Sequence, residues 1–429
     1  FNDALIITAD GFGDNESFVI KNNYGDTIFS AQTEASIGLI YQFATGGIGF
    51  KMHQHEGKLT GMAARGNSEK TIHEFRKLLE FDKVSEKLIP KLKAKNEEGT
   101  FEGYGYFLAL KEHIFEFCKK YDAFDIAAGV QKFTEEIVTE VISHVLEKTG
   151  RSNVCLSGGL FANVRLNQII GALPKVNRMF VYPNMGDGGL GLGAALYAAT
   201  MFFGYKHDDK LSNLYLGTGI NDDNIAEVLD DLKLTATTTM DRAETIANLI
   251  AEGNIVANVS GRMEYGPRAL CNRSIHFHCD SEEVNAWLNK QLGRSEYMPF
   301  CPVIQYRDAE VAFKDVTPEN IHNGEFMTIS FYASNKFKTE CPSGVHVDGT
   351  ARAQLIRKEI NPTMYAALEK YKEKTGKLGF INTSFNAHGE PIVRTEREAI
   401  ERFLQSNIHY LVINNFVIKH PNYDTIPKF

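Results

Sequence analysis

The sequence predicts an α/β protein of two domains, and three observations carry that prediction. Apolar strand-like runs alternate with helix-length periodic runs in both halves, the pattern of helices layered on sheets. The chain has 429 residues, more than one hydrophobic core usually serves. Residues 204–212, GYKHDDKLS, follow neither the helical nor the strand period. The boundary is placed there, between a first domain at 1–205 and a second at 213–429.

The elements follow in order. Residues 4–9 are apolar and predict a buried strand ending in the turn Asp10-Gly11-Phe12-Gly13-Asp14-Asn15. Short strands at 17–21 and 27–32 flank Asn23-Tyr24-Gly25-Asp26, a hairpin signal. Ile126, Val130, Phe133, Ile137, Val141 and Val145 recur at three- and four-residue spacing. They predict a helix over 124–148 that follows another over 105–120, with Gly150 as its C-cap. One strand–loop–helix unit runs from Val154 through Ser157-Gly158-Gly159 into 161–172. A second runs from Met179 through Gly186-Asp187-Gly188-Gly189 into 190–203. The second half predicts helices at 222–232, 242–252, 281–292, 362–375 and 395–406. Its predicted strands are 255–259, 326–332, 378–382 and 409–419. Asn361 as N-cap, Pro362 in the first turn and Gly376 beyond the end delimit one helix sharply.

Charge and cysteine usage exclude several classes of function. Lys plus Arg number 46 and Asp plus Glu 54, a formal charge of −8. Nucleic acid and anionic membranes both require a basic field, so neither is expected as a partner. Cysteines at 118, 155, 271, 279, 301 and 341 contain no CxxC pair and read as the reduced thiols of a cytoplasmic protein. No apolar run reaches the roughly 18 residues of a membrane span, and no signal peptide is expected. The chain opens on Phe1 beside an apolar run and is read as lacking its N-terminal part.

Three Gly/Asp loops in the first half end apolar strands: Asp10-Gly11-Phe12-Gly13-Asp14, Ser157-Gly158-Gly159 and Gly186-Asp187-Gly188-Gly189. Glycine lets backbone amides close on an anion, and the two later loops lead into helix N-termini. Aspartate adds hard oxygen ligands for a divalent cation. A tight turn is the plain reading of any one loop; together they point to a nucleotide or metal site. His53 and His55 form an HxH pair beside Glu56, which on a strand would put both rings on one face. Without a third ligand they read as a solvated segment. A second pair, His276 and His278, reads as a half-buried strand.

The second half carries a denser signal. Gly261-Arg262-Met263-Glu264-Tyr265-Gly266-Pro267-Arg268-Ala269-Leu270 is followed by Asn272-Arg273-Ser274, so three arginines fall within twelve positions after an apolar strand. Guanidinium groups offer planar forks of donors to phosphate oxygens. Lys290 and Arg294 lie four apart, on one face if the helix extends that far. Arg352 and the cluster Asn382-Thr383-Ser384-Phe385-Asn386 complete a set that reads as an anion site, most simply for a triphosphate.

With these residues in hand, the sequence resembles the O-carbamoyltransferases of the nodulation-protein-U type. The matching stretches are DGFGDN, HEGKLTGMAARG, LSGGLFANVRLN, NMGDGGLGLGAAL, GRMEYGPRALCNRSI, MPFCPVI, VDGTARAQ and INTSFNAHGEPIV, in the family's order over nearly the whole chain. The resemblance implies a first domain of the actin, sugar-kinase and heat-shock ATPase fold, partial here, and a second domain like YrdC. It implies that the second makes carbamoyl-adenylate from ATP and carbamoyl phosphate. The first then moves the carbamoyl group to the hydroxyl of a sugar or natural product with a bound metal, iron or alternatively zinc. Magnesium would accompany the ATP, and a homodimer is the default assembly.

Carried over residue by residue, Asp10 and Asp187 match the metal aspartates, and Gly11 and Gly13 belong to the first loop. Gly158, Gly159 and Asn163 match the nucleotide-contacting loop. Arg262, Arg268, Lys290 and Arg294 match catalytic cations of the adenylate site. Arg273, Ser274, Arg352, Thr383, Ser384 and Asn386 match its nucleotide contacts. Three positions depart from the family. Its HxxxH metal pair upstream of the DG turn has no counterpart here. Cys271 stands where glycine is usual, and Met298 where arginine is frequent. A threonylcarbamoyl-adenylate enzyme serving transfer RNA and a non-catalytic nucleotide-binding module are the alternatives.

Overall fold

The computed structural model describes residues 1, 3–92, 104–206, 211–280, 282–291, 300–387 and 389–428. The chain divides into two compact units, Phe1–Leu192 and Gly193–Phe429, and the division falls within the helix Leu190–Phe203.

The first unit holds β1 (Leu5–Gly13), β2 (Glu16–Lys21), β3 (Thr27–Gln32), β4 (Leu79–Asp82), β5 (Lys87–Pro90), β6 (Asn153–Ser157) and β7 (Arg178–Val181). Five of them make one sheet in the order β3-β2-β1-β6-β7, while β4 and β5 pair by themselves. β1, β2 and β3 run antiparallel, whereas β6 is parallel to β1 and β7 to β6. The first turn lies later than its sequence predicts. β1 continues through Asp10 and Gly11, and the chain reverses at Asp14 and Asn15, with φ of 52° and 63°. Two left-handed residues make the turn type that matches strand twist, and Asn and Asp tolerate it.

The long helix Ala123–Thr149 begins at Asp122, whose carboxylate accepts from Phe124 N, and ends at Gly150 with φ 67°. Its buried face carries Ile126, Val130, Phe133, Ile137, Val141 and Val145, as the spacing predicts. The helices Ile37–Gly47 and Glu56–Ala63 are additions to the predicted elements. The first is apolar on most of its circumference, so no period marks it.

The second unit contains β8 (Thr237–Thr238), β9 (Val256–Val259), β10 (Arg273–Phe277), β11 (Cys301–Gln305), β12 (Phe331–Tyr332), β13 (Thr350–Ala351), β14 (Gln354–Ile356), β15 (Gly379–Ser384), β16 (Tyr410–Ile413) and β17 (Phe416–Lys419). Eight strands form a mixed sheet in the order β14-β11-β15-β10-β9-β16-β17-β8. The run expected as one strand at 409–419 is a hairpin that folds back at Asn414, φ 47°. The strand expected at 326–332 shrinks to β12, because a 3₁₀ turn at Ile321–Phe326 ends on the left-handed Met327. The helices Arg242–Ala251 and Pro362–Thr375 pack on the sheet through Ile246, Ile250, Leu368 and Tyr371 against Val256, Phe380 and Val412. Each such fully buried side chain contributes about 1.5–3 kcal/mol.

Candidate functional site

In the first unit the register aligns the C-terminal ends of three neighbouring parallel strands. Thr8 lies opposite Ser157, and Leu156 opposite Val181, so the two later Gly/Asp loops leave the sheet beside Asp10–Gly13, the continuation of β1. The Asp10 carboxylate fastens the first loop to the second: Oδ1 accepts from Gly11 N at 2.8 Å and Oδ2 from Gly159 N at 2.9 Å. The second loop is fastened to the third, where Gly158 N donates to Met185 O at 2.7 Å. Gly158 has φ 103°, and a Cβ there would stand 2.1 Å from Ala9 O. Only glycine fits this close approach. Ser36 caps the helix Ile37–Gly47 and donates its hydroxyl to Gly11 O at 2.5 Å, seating that helix on the end of β1. Asp187 is exposed in the third loop. Asn163 caps the helix Val164–Gly171 by accepting from Leu166 N.

In the second unit a comparable convergence occurs at one end of the large sheet. Arg273 pairs in register with Val259, Ser274 with Ser384, Cys301 with Asn382, and Val303 with Gln354. The segment after β9, the approach to β10, the start of β11, the approach to β14 and the end of β15 therefore share one rim. These segments carry Arg262, Arg268, Cys301, Arg352 and Ser384. Burial pushes the Cys301 thiol up to about 12 against the guanidinium groups of Arg352 and Arg268 beside it. Two cations thus flank the start of β11. Arg352 Nε is buried and has no hydrogen-bond partner among the described residues, a donor left for a ligand or water.

The three arginines of the loop have different settings. Arg262 is exposed, and its guanidinium donates to the carbonyls of Gly217 and Leu216. Arg268 is half-buried at the rim. Arg273 is wholly buried and donates to the carbonyls of Ser260, Asn272, Thr218 and Gly261, so it fastens the loop from beneath. Desolvation lowers its pKa, with Glu264 opposing. Ser274 is likewise buried, and its hydroxyl accepts from Cys271 N at 3.0 Å. Ser384 donates to Asn386 Oδ1 at 2.6 Å, which orders the loop after β15, and Thr383 beside it is half-buried. Lys290 is exposed in the last turn of the helix Glu282–Gln291. Arg294 and Met298 lie outside the described residues.

Residues 1–196 match the family model described as Carbamoyltransferase N-terminus, and residues 247–420 the one described as Carbamoyltransferase C-terminus. The chain belongs to the carbamoyltransferase family. Protein MJ1051 of Methanocaldococcus jannaschii, described as uncharacterized, is 34% identical over 97% of this chain and 79% of its own length. Nodulation protein NolNO of Sinorhizobium fredii is 28% identical over 98% of this chain and 61% of its own. A 3'-hydroxymethylcephem-O-carbamoyltransferase of Amycolatopsis lactamdurans is 28% identical over 62% of this chain and 50% of its own. The chain spans about three fifths of the length of several curated relatives it matches.

The arginine loop is supported by polar residues that its sequence pattern does not single out. Glu264 is buried, and its Oε1 accepts from the backbone N–H groups of Leu270, Asn272 and Arg273. Desolvation raises its pKa despite these bonds. Asn258 donates to Cys271 O, Asn382 to Ala269 O and Gln354 Oε1, and Tyr215 to Leu270 O. Glu264 is the single acidic residue of the segment 261–274, but residue type alone does not say that it faces inward.

Among the described residues, the side chains present do not fit a transition-metal centre. Both Asp10 oxygens already accept backbone N–H groups, and among the described residues no three His, Cys, Asp or Glu side chains gather into a metal-binding group. The HxH pair at 53 and 55 does not lie on a strand: residues 52–54 form a turn, with φ 66° at His53. His53 Nε2 meets Gln42 Nε2 at 2.9 Å, and His55 Nδ1 accepts from Lys51 N. In the second pair, His276 lies fully buried on β10. Among the described residues, no helix is long and apolar enough to cross a membrane.

Proposed function

We propose that the chain is an ATP-dependent O-carbamoyltransferase acting on a hydroxyl of a sugar or natural product. The observation that carries this is the rim of Arg262, Arg268, Arg352 and Ser384 in a chain that matches both carbamoyltransferase family models. We read the first unit as a partial actin- and sugar-kinase-like domain at 1–205. We read the second as a YrdC-like domain at 213–429. At the second-unit rim, water cleaves carbamoyl phosphate to carbamate and inorganic phosphate, and a carbamate oxygen attacks the α-phosphorus of ATP, brought as its magnesium complex. Carbamoyl-adenylate forms and pyrophosphate leaves. This gathers several phosphate charges, and arginines fixed in advance stabilise them without reorganising. Arg268, Arg262, Lys290 and Arg294 are assigned to that step. Arg352, Thr383, Ser384, Asn386 and the backbone held by Arg273 line the nucleotide, while the buried Ser274 supports that backbone by accepting from Cys271 N.

In the first unit the loops at Asp10, Gly11, Gly13, Gly158, Gly159, Asn163 and Asp187 receive the adenylate. The acceptor hydroxyl attacks the carbamoyl carbon, AMP leaves, and the hydroxyl proton passes to solvent. The N–H groups of Gly11, Gly158 and Gly159 are donated within the loops and hold their shape, and the helix N-termini that follow the two later loops orient the leaving phosphate. No step is routed through a transition metal.

Incubation with ATP, Mg²⁺ and carbamoyl phosphate tests the reading. Pyrophosphate release is expected only when carbamoyl phosphate is present. Release that requires threonine and bicarbonate instead would overturn it in favour of a threonylcarbamoyl-adenylate enzyme. No release under either condition would leave a nucleotide-binding module.

A further inference from the structure

Asn163 is held by more than the helix it caps. Its Nδ2 donates to Gln131 Oε1 at 2.8 Å, and the same oxygen accepts the Tyr41 hydroxyl at 3.0 Å. Gln131 Nε2 donates to Glu135 Oε1 at 2.9 Å and, at the longer distance of 3.4 Å, to Asn163 Oδ1. The Tyr41 hydroxyl also meets Thr60 Oγ1 at 3.0 Å. Gln131 is 5% exposed, so water offers its amide little alternative.

An ionised carboxylate only accepts hydrogen bonds. Glu135 therefore draws the NH₂ end of Gln131 to itself, one helical turn away. The carbonyl end then faces Tyr41 and Asn163. That in turn sets Asn163, with its NH₂ on Gln131 and its Oδ1 on Leu166 N at 3.1 Å. The opposite orientation of Gln131 would place its NH₂ against the Asn163 NH₂ and its carbonyl against the Glu135 carboxylate.

Neighbouring groups act on Glu135 in both directions. Burial raises the Glu135 pKa, the hydrogen bond from Gln131 and the charges of Arg165 and Lys132 pull it down, and Glu136 pushes it up. Across from it, Tyr41 is buried and feels both Glu135 and Glu56. Tyr41 belongs to the helix whose cap, Ser36, is bonded to Gly11 O near the end of β1.

We propose that Glu135 is a positioning residue of the first-unit site, orienting Asn163 toward a bound nucleotide through Gln131. The proposal rests on the reading of Asn163 as a nucleotide contact. It assigns to a carboxylate that touches no ligand the task of choosing which face of an amide the ligand meets.

The test is ADP affinity, measured by calorimetry on the full chain carrying Arg268→Ala so that the second-unit phosphate site is weakened. Asn163→Asp keeps the helix cap and removes the donated N–H. It is expected to weaken ADP about tenfold. Glu135→Leu and Gln131→Leu are expected to match that loss. Glu135→Gln, whose carbonyl still accepts from Gln131, stays within about twofold of the parent. The double variant Glu135→Leu/Asn163→Asp is no weaker than Asn163→Asp alone, because both remove one relay. If Glu135→Leu and Gln131→Leu bind like the parent while Asn163→Asp is weakened, the positioning role is overturned and the nucleotide contact stands. Multiplied losses in the double variant also overturn it. If Asn163→Asp binds like the parent, both the relay and the nucleotide contact fall.

Discussion

Cys271 carries a φ of 81°, the region in which a Cβ crowds the following carbonyl, and it is fully buried. The resemblance marks this position as ordinarily glycine, and the backbone gives the reason. The thiol is compensated by donating to Gln354 Oε1 at 3.2 Å. Comparing two small replacements separates backbone strain from lost packing. Glycine is ordinarily less stabilising than alanine, but here the order reverses. Cys271→Gly is expected to be more stable than Cys271→Ala by about 1 kcal/mol, measured by urea unfolding. Equal stabilities, or alanine ahead, would show that the turn relaxes around a side chain. The neighbouring arginines allow a second contrast. Arg268→Ala is expected to remove about 2–4 kcal/mol of transition-state stabilisation from pyrophosphate release while leaving the unfolding midpoint unchanged. Arg273→Ala instead strips four backbone carbonyls of their donor and is expected to cost about 3 kcal/mol of stability. A normal midpoint for Arg273→Ala would show that the loop does not depend on that anchor.

Strand β10 shows how burial turns a sequence motif into a pH response. His276 is wholly buried between β9 and β15, its Nδ1 facing Ile381 O at 3.3 Å and its ring against Phe380. Burial lowers its pKa from the usual 6.5 to about 4. The neutral ring is favoured in the folded chain, so this stability is full above pH 6.5 and is lost as the pH falls toward 4. At pH 5 the loss is about 2 kcal/mol relative to pH 7. His276→Phe is expected to keep the ring packing and to flatten that part of the curve, read from urea midpoints at both pH values. An unchanged slope would assign the acid sensitivity to other groups. The same burial explains what the sequence concealed. Amphipathic helices such as Ala123–Thr149 and Pro362–Thr375 were legible because one face meets water and imposes a period. β11 and β14 are buried at every position, so no alternation marks them, and β10 surfaced only as a histidine pair.

Both rims arise from strand register, which is why their members were legible as residues while their arrangement was not. Asp10 and Gly159 lie 149 positions apart, and Cys301 and Asn382 are opposed across two strands that only the sheet order makes neighbours. The glycines and arginines announced themselves by type. Glu135, Gln131 and Glu264 did not, because an inward-facing carboxylate or amide looks in sequence like a solvated one. If each rim serves its own half of the reaction, the halves come apart by substitution. Asp10→Asn replaces an oxygen that accepts from Gly11 N or Gly159 N with an amide NH₂, which repels that N–H and loosens the first-unit loops. It is expected to abolish carbamoyl transfer while carbamoyl-phosphate-dependent pyrophosphate release continues at the parent rate, since Arg268, Arg352 and Ser384 are untouched. The transition-metal content of the parent after dialysis is expected to be well below one per chain, because iron or zinc is usually held by about three or four protein ligands with imidazole among them. Measuring pyrophosphate and metal on the same preparation joins the two expectations. A parent chain holding one tightly bound metal, lost together with pyrophosphate release in Asp10→Asn, would show that the first-unit loops govern both steps and that the division of labour between the rims is mistaken.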